Sequence, residues 1–555
     1  MILKRAVKKY WLVFVSLILI GLLNAFLGVF IIKKGGGIID ALAKARDIAS
    51  VKMAFKDFLI IFLLSLLVQF LLFLYLSIVK KKVLFYAEDT VFRHLIYAHP
   101  EIVLKYKKGD IVDRITSNLD GLSAFFGSDM LDMVGSIGYM LFALYFLFKI
   151  HYLFCILYIG FIVFFLIVTL FFAFFIQKIF KDYFGQSAKK HSLLIEILDG
   201  YFIIKALLAF RFILNKYRRV LKDTVQKGFK ADVVMFSSLF GAVFVISIFL
   251  ILWISIGSSF VYKHIITLGD FVASLLIFIK GNEEFNKFNN RFNQLKRSYA
   301  GIERTEELLK EEEEIQSTGK IAFGKDIEVK DVSVSFKKNG KDYTVLSNVN
   351  LKVNKGECIG IIGQTGSGKS TLLKVISGLI QPDKGALLLD GKKIKKEDIV
   401  AYRRLIGYAP QDAFILEGTL RENILFGEEY DAKRFKEVIK KAGLAAFYEK
   451  YKDDTILKEG GLNLSGGEKQ RIHLARILYR NKEIFIFDEP TSNVDRETEK
   501  IIVNTMKELK NQGKTIIISS HKPYPLKIAD RVYSVEGQKI KEVDDETLKG
   551  DIHKA

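Results

Sequence analysis

Long uncharged apolar runs alternate with basic polar segments over the first half of the chain, and the pattern changes after about residue 327. Runs 11–32 and 58–79 are each 22 residues long and carry no charge. At 1.5 Å rise per residue such a helix measures about 33 Å, enough to cross the hydrocarbon core of a bilayer. Two further runs, about 125–148 and 152–176, are separated only by Lys149-Ile150-His151, which predicts a tight antiparallel hairpin. A fifth covers about 233–261, and a sixth starts near Ile265 and turns highly polar after Ile279. Six membrane spans are therefore predicted. The segments between them at about 80–124 and 177–232 are too long for turns and read as helices continuing out of the membrane. Gly109-Asp110 and Asp199-Gly200 are expected to punctuate them. The run at 303–314, with four consecutive glutamates, reads as a solvated helix end and linker. Beyond it, Cys358–Ile362, Ile406–Ala409, 484–487 and Thr515–Ser519 are short apolar runs separated by helical patterns, the signature of an α/β domain. The expected division is a membrane domain over 1–315 and a soluble domain over 316–555.

Composition supports this split. Half of the residues are hydrophobic and 13% aromatic, yet 26% are charged, a mixture that a uniform soluble globule rarely holds. A net charge of +21 first suggests nucleic acid. The basic residues crowd about 80–114 and 178–230, each flanked by apolar spans, so cytoplasmic loops of a membrane protein explain them better. No nucleic-acid partner is expected; a lipid bilayer is. Lys4, Arg5, Lys8 and Lys9 ahead of the first span place the N-terminus in the cytoplasm, and six crossings return the C-terminal domain there. One segment resists this orientation: the expected outer loop 33–57 holds five Lys and one Arg against three Asp. The run at 11–32 is too long for a signal peptide and lacks a small-residue cleavage site, so it is expected to be retained. Cys155 and Cys358, the only cysteines, sit in apolar runs and support neither a disulfide framework nor a zinc site.

The chemistry lies in the second domain. Gly363-Gln364-Thr365-Gly366-Ser367-Gly368-Lys369-Ser370 matches the phosphate-binding P-loop in full, between a strand and a helix as that motif requires. Its glycines let backbone N–H groups turn toward phosphate oxygens, and the helix N-terminus, continuing through Thr371, adds its positive end. Lys369 would reach the β- and γ-phosphates of ATP, and the Ser370 hydroxyl would ligate Mg2+. Downstream, an apolar strand ends in Asp488-Glu489. Ligands of open α/β sheets sit beyond the carboxyl ends of strands, so both acids are directed at the P-loop site. Asp488 is placed to hold Mg2+ and Glu489 to act as general base on the attacking water.

Leu464-Ser465-Gly466-Gly467-Glu468-Lys469-Gln470-Arg471 is similar to the signature sequence of ATP-binding cassette (ABC) proteins, with Glu468 where Gln is commoner. The chain thereby resembles an exporter-type ABC half-transporter: an all-α membrane domain of six long helices followed by an α/β P-loop ATPase. The resemblance implies that Leu464 to Glu468 bind the γ-phosphate held by a partner's P-loop, so that hydrolysis requires two cassettes. It makes Gln411 a γ-phosphate sensor and Mg2+ contact, His521 a further γ-phosphate contact, and Ser492-Asn493-Val494-Asp495 a loop crossing the dimer interface. Phe336 takes the place of the aromatic that stacks on adenine, with Tyr343 as the alternative. The segments at 415–424 and 455–461 resemble exporter-specific elements, with Lys458 replacing the usual Gly. Gly109-Asp110 to Asp120 and Leu198-Asp199-Gly200 to Ala206 resemble cytoplasmic coupling elements. An identical chain is the expected partner, because every ATP-site motif is present; a heterodimer and an importer on the exporter frame are the alternatives. No peptidase domain precedes the first span, so an exporter that cleaves its cargo's leader is not expected. The expected setting is the cytoplasmic membrane with both termini inside, and the cargo is open among lipid, lipid-linked glycan, peptide and drug.

One polar feature lies in the sixth span. Lys280, Glu283, Glu284, Lys287 and Arg291 are spaced by three and four residues and share one helical face. Either Lys280, Glu283, Glu284 and Lys287 line the substrate cavity, or the stretch lies below the membrane and its charges pair along the helix.

Overall fold

In the computed structural model, which describes residues 2–43, 48–317, 319–338, 341–452, 455–492 and 494–543, the chain forms two compact units. One comprises Met1–Phe92 and Ile111–Leu308, the other Arg93–Asp110 and Leu309–Ala555.

The first unit is helical. Its long elements are α1 (Trp11–Ala43), α2 (Ile48–Tyr97), α3 (Met130–Ile150), α4 (Tyr152–Asp199), α5 (Phe210–Tyr262) and α6 (Leu268–Leu308). The helices α2, α4 and α5 hold 50, 48 and 53 residues, far more than the ~20 that span a bilayer. The polar segments 80–97, 177–199 and 210–232 are thus helical continuations, as expected from their length. Among the described residues five helices are long and apolar enough to cross a membrane, α1, α2, α4, α5 and the stretch Lys108–Ile150 that contains α3. The sixth, α6, is the exception to the expected six. It has the length, but charges from Lys280 onward keep its composition below that of a lipid-exposed span, although buried apolar residues continue along it through Phe285, Ile302 and Leu308.

Packing explains how the helices meet. His151 alone separates α3 from α4; it is extended (φ −166°, ψ 135°) and its Nδ1 accepts from the Leu153 N–H at 3.2 Å, so the hairpin is as tight as its sequence implies. Trp253 of α5 is fully buried, stacks on Phe154 and Phe278 at 4.9 Å each, and donates its indole N–H to Ser274 Oγ. The indole satisfies its polar edge while the ring fills the core. The expected loop at 33–57 is instead mostly helix: α1 runs to Ala43 and α2 begins at Ile48. Three of its charges have partners, with Lys34 paired to Asp57 at 3.1 Å. Asp40 accepts from the Thr267 hydroxyl and the Gly269 N–H, both at 2.7 Å, and so caps α6 from another helix. Asp199-Gly200 does end α4, whereas Gly109 and Asp110 lie inside a helix, Lys108–Ile115, and do not interrupt the chain.

The second unit contains the α/β domain. A six-stranded sheet runs in the order Lys539–Val543, Arg531–Glu536, Cys358–Ile362, Thr515–Ser519, Ile484–Asp488, Ile406–Ala409. All pairs are parallel except the edge Lys539–Val543, and the inner strands are buried, as apolar parallel strands covered on both faces should be. A smaller antiparallel sheet joins Asp326–Lys338 with Lys341–Asn354, Lys384–Leu389 and Lys392–Lys393. Cys358 is a buried free thiol whose pKa burial pushes up to about 12, so it is inert packing, as its apolar run suggested. The glutamates at 311–314 are not simply solvated: each has a charged or polar partner in this unit.

Candidate functional site: an ATP-binding centre

Three parallel strands, Cys358–Ile362, Thr515–Ser519 and Ile484–Asp488, lie side by side in register, with Ser519 opposite both Ile361 and Asp488. Their carboxyl ends therefore deliver Gly363, Glu489 and His521 to one place. The helix α7 (Lys369–Ile376) starts there, with Gly368 at its N-cap in the left-handed region (φ +107°).

The loop between is shaped as an anion cradle. A Cβ on Gly363 would lie 2.6 Å from the Val535 carbonyl, whereas Gly366 (φ +82°) has nothing within 4 Å of its Cβ position. The Ser367 hydroxyl is buried with no protein partner among the described residues. A left-handed glycine facing open space and a buried, unanswered hydroxyl fit a bound phosphate chain.

Lys369 is only 4% exposed. Its ammonium donates to the carbonyls of Gly363 (2.8 Å) and Gln364 (3.1 Å), and lies 2.9 Å from His521 Nε2 and 3.9 Å from Glu489 Oε1. Burial holds its pKa below the usual lysine value, with Glu489 and Asp488 opposing that shift. Glu489 carries a positive φ of 47°, a strained conformation for a residue with a side chain, of the kind found where function dictates geometry. Its carboxylate is held from both sides: Gln411 Nε2 donates to Oε2 at 3.0 Å, and His521 Nε2 lies 3.1 Å from Oε1. His521 Nε2 thus accepts from Lys369 in one tautomer or donates to Glu489 in the other. The structure therefore gathers Lys369, Gln411, Glu489 and His521 into one network.

Asp488 is buried, and its Oδ1 accepts from the Ser519 hydroxyl at 2.6 Å; Ser519 Oγ in turn accepts from the Glu489 N–H at 3.0 Å. Sequence reading missed Ser519. Its signal was the parallel alignment of two apolar strands, which puts the last residue of one beside the last residue of the other. The donor set offered to Mg2+, the Ser370 hydroxyl with Asp488 and Gln411, is all oxygen, the chemistry that hard cations prefer.

Ser465 caps α8 (Gly466–Arg480) in a capping box with Glu468: its Oγ accepts from the Glu468 N–H at 3.2 Å, and the Glu468 carboxylate accepts from the Ser465 N–H at 2.7 Å. The glutamate thus stiffens the turn that presents the Gly466 and Gly467 amides. Among the described residues, no hydrogen bond joins this turn to residues 363–371. Of the interface loop, Asn493 lies outside the described residues, and Asp495 caps the helix Arg496–Asn511 through Thr498. The two aromatic candidates for adenine, Phe336 and Tyr343, are register partners and share a face of the antiparallel pair. Phe336 is half-buried against the core, and Tyr343 is 56% exposed. Gly418–Thr419 and Ile456–Leu457, from the two exporter-like segments, pair antiparallel.

In the helical unit, the charges of α6 pair partly along the helix and partly across it. Lys280 meets Glu283 at 2.8 Å and Glu284 at 3.7 Å. Lys287 reaches Asp132 at 2.8 Å, Arg291 bonds Asp129 (3.1 Å) and Asp132 (2.9 Å), and Ser136 Oγ donates to Glu284 at 2.8 Å. Asp129, Asp132 and Ser136 were missed, although spacings of three and four inside an apolar run are a legible polar stripe.

Comparison with known proteins agrees with this geometry. The family model "ABC transporter transmembrane region" matches residues 10–280, and the model "ABC transporter" matches residues 346–492. Leukotoxin translocation ATP-binding protein LktB of Bibersteinia trehalosi is 27% identical over 458 residues, and that of Mannheimia glucosida 28% over 460 residues. Each alignment covers 81% of this chain and 64% of the relative, so the chain spans less than two thirds of their length. Among solved structures, a bacterial Atm1-family ABC exporter with ATP bound superposes with a TM-score of 0.76 at 18% identity, covering 99% of this chain and 96% of that one, which establishes the shared fold. With both family models matched in order and the P-loop network assembled, the chain belongs to the ABC transporter family, carrying membrane region and ATP-binding cassette on one polypeptide.

Proposed function

We propose that this chain is one half of a homodimeric exporter in the cytoplasmic membrane, driven by ATP hydrolysis at two equivalent sites. The observation that carries the reading is the single network in which Glu489, under backbone strain, is held by Gln411 and His521 beside Lys369.

ATP enters the Gly363–Gly368 cradle with its adenine on Phe336, and the Lys369 ammonium exchanges loop carbonyls for β- and γ-phosphate oxygens. That exchange frees His521 from Lys369, letting it turn to the γ-phosphate. Glu489 then accepts a proton from the attacking water, oriented by Gln411. Ser370, Asp488 and Gln411 would hold Mg2+, which would neutralise charge along the phosphates. The Leu464 to Glu468 turn of the second chain closes over the γ-phosphate, so one chain alone lacks half of each site. The N-terminus and the cassette are cytoplasmic, and the two bundles alternate access across the bilayer.

Production of this chain alone should yield a complex of twice its mass with Mg2+-dependent ATPase activity in lipid vesicles. A stable monomer that becomes active only with a different half-transporter would replace the homodimer with a heterodimer. ATPase stimulation across lipid, lipid-linked glycan, peptide and drug probes, followed by transport of the best stimulator, tests the export reading.

We further place Lys280, Glu283, Glu284 and Lys287 on the cargo path, because intramembrane charges are costly unless they face water or cargo. Their charges cancel, which favours a polar or zwitterionic cargo; relatives named for translocating a leukotoxin support a peptide. Changing Lys280, Glu283 and Glu284 together to Leu should lower transport and cargo-stimulated ATPase while sparing the basal rate. Unchanged transport would remove them from the path.

A further inference from the structure

The four glutamates that follow α6 form an ordered structure. After a bend at Glu311 the chain runs as a short strand: Glu313 bridges antiparallel to Ala98, the Glu314 N–H donates to the Tyr97 carbonyl at 2.7 Å, and the His99 N–H donates to the Glu312 carbonyl at 3.2 Å. Successive side chains of extended backbone point to opposite sides, and the partners follow that alternation. Glu311 and Glu313 face the end of α2 and the segment that continues it: Glu311 binds Lys105 and accepts from the Tyr106 hydroxyl (3.1 Å), while Glu313 meets His94 Nδ1, in the last turns of α2, at 2.6 Å. Glu312 and Glu314 face the cassette, Glu312 pairing with Lys396 at 2.7 Å and Glu314 with Arg403.

The last pair is the best made. Glu314, with 9% of its side chain exposed, takes both terminal nitrogens of Arg403, at 2.7 and 2.6 Å. Bidentate, largely buried pairs of this kind are the strong and geometrically specific ones. The same guanidinium donates to the Gly378 carbonyl from Nε (3.0 Å) and Nη2 (2.6 Å). Gly378 directly follows Ser377, the C-cap of the P-loop helix α7. Three residues on, the Gln381 N–H donates to Glu101 at 2.8 Å and its side chain meets His99 at 2.9 Å. The far end of the helix whose N-terminus carries Lys369 is thus held by the linker leading to α6 and by the segment leading to α2.

We propose that Glu314 and Arg403 are positioning residues for transport, which deliver displacement of the P-loop helix to the linker and hence to α6 and α2. The proposal rests on the ATP-driven reading above. Neither residue belongs to the Gly363–Ser370 cradle or to the network of Lys369, Gln411, Glu489 and His521, so their loss should uncouple movement in the membrane from closure of the cassettes.

The test uses the full chain in phosphatidylethanolamine–phosphatidylglycerol vesicles with ATP and vanadate as the trapping agent. Spin labels at Lys52 of α2 and, separately, at Lys500 of the cassette report distances between the two copies. Glu314→Gln, and independently Arg403→Lys, should keep basal ATPase within about twofold and the Lys500 distance change, while the population with the shifted Lys52 distance falls at least about threefold. Equal Lys52 shifts in wild type and both variants would overturn the proposal, as would loss of the Lys500 change together with it. Absence of any Lys52 shift in the unsubstituted chain would instead count against the transporter reading.

Discussion

Glu489→Gln is expected to lower ATP turnover by about 10²- to 10⁴-fold, the range for losing a general base, while leaving ATP binding intact. Gln keeps the size of the side chain and can still bond Gln411 and His521, which hold the carboxylate at 3.0 and 3.1 Å. The backbone strain at this position (φ +47°) is unaffected by the change, so the cradle keeps its shape. What is lost is the capacity to accept a proton from water. The variant should therefore accumulate as an ATP-bound, cassette-closed dimer, visible as retained nucleotide after rapid desalting. Near-normal turnover of purified variant would remove Glu489 from the catalytic role.

Lys369→Ala should fail at an earlier step. The ammonium is the buried cation of the phosphate cradle, and each charge-assisted bond it makes to ATP would be lost. At about 1.5–3 kcal/mol per such bond, ATP affinity should fall by about tenfold or more, and turnover with it. The change also leaves the Gly363 and Gln364 carbonyls and His521 without the donor they now share, so His521 is expected to bind Glu489 more persistently. Equilibrium binding of a fluorescent ATP analogue separates the two variants: Glu489→Gln retains affinity, and Lys369→Ala loses it. Survival of both affinity and rate in Lys369→Ala would refute the P-loop assignment.

The ATP site was legible because its motifs are contiguous. A strand, a glycine loop and a helix N-terminus follow one another along Cys358–Ile376, so the local sequence alone fixes which backbone amides converge. The same holds for the hairpin at His151. Apolar run length located five of the six expected spans for a similar reason, since helix rise per residue is fixed.

Folding decided which distant side chains became partners. Ser519 and Asp488 are 31 residues apart, Arg291 and Asp129 162, and Glu313 and His94 219. Hydrophobic periodicity gives the face a side chain occupies, but neither the strand that lies beside it nor the helix opposite. A run of four glutamates therefore read as a solvated linker, and the charges of α6 as a choice between cavity and helix surface. Charge creates the demand for a partner, and only the register of strands and the facing of helices determine which residue meets it.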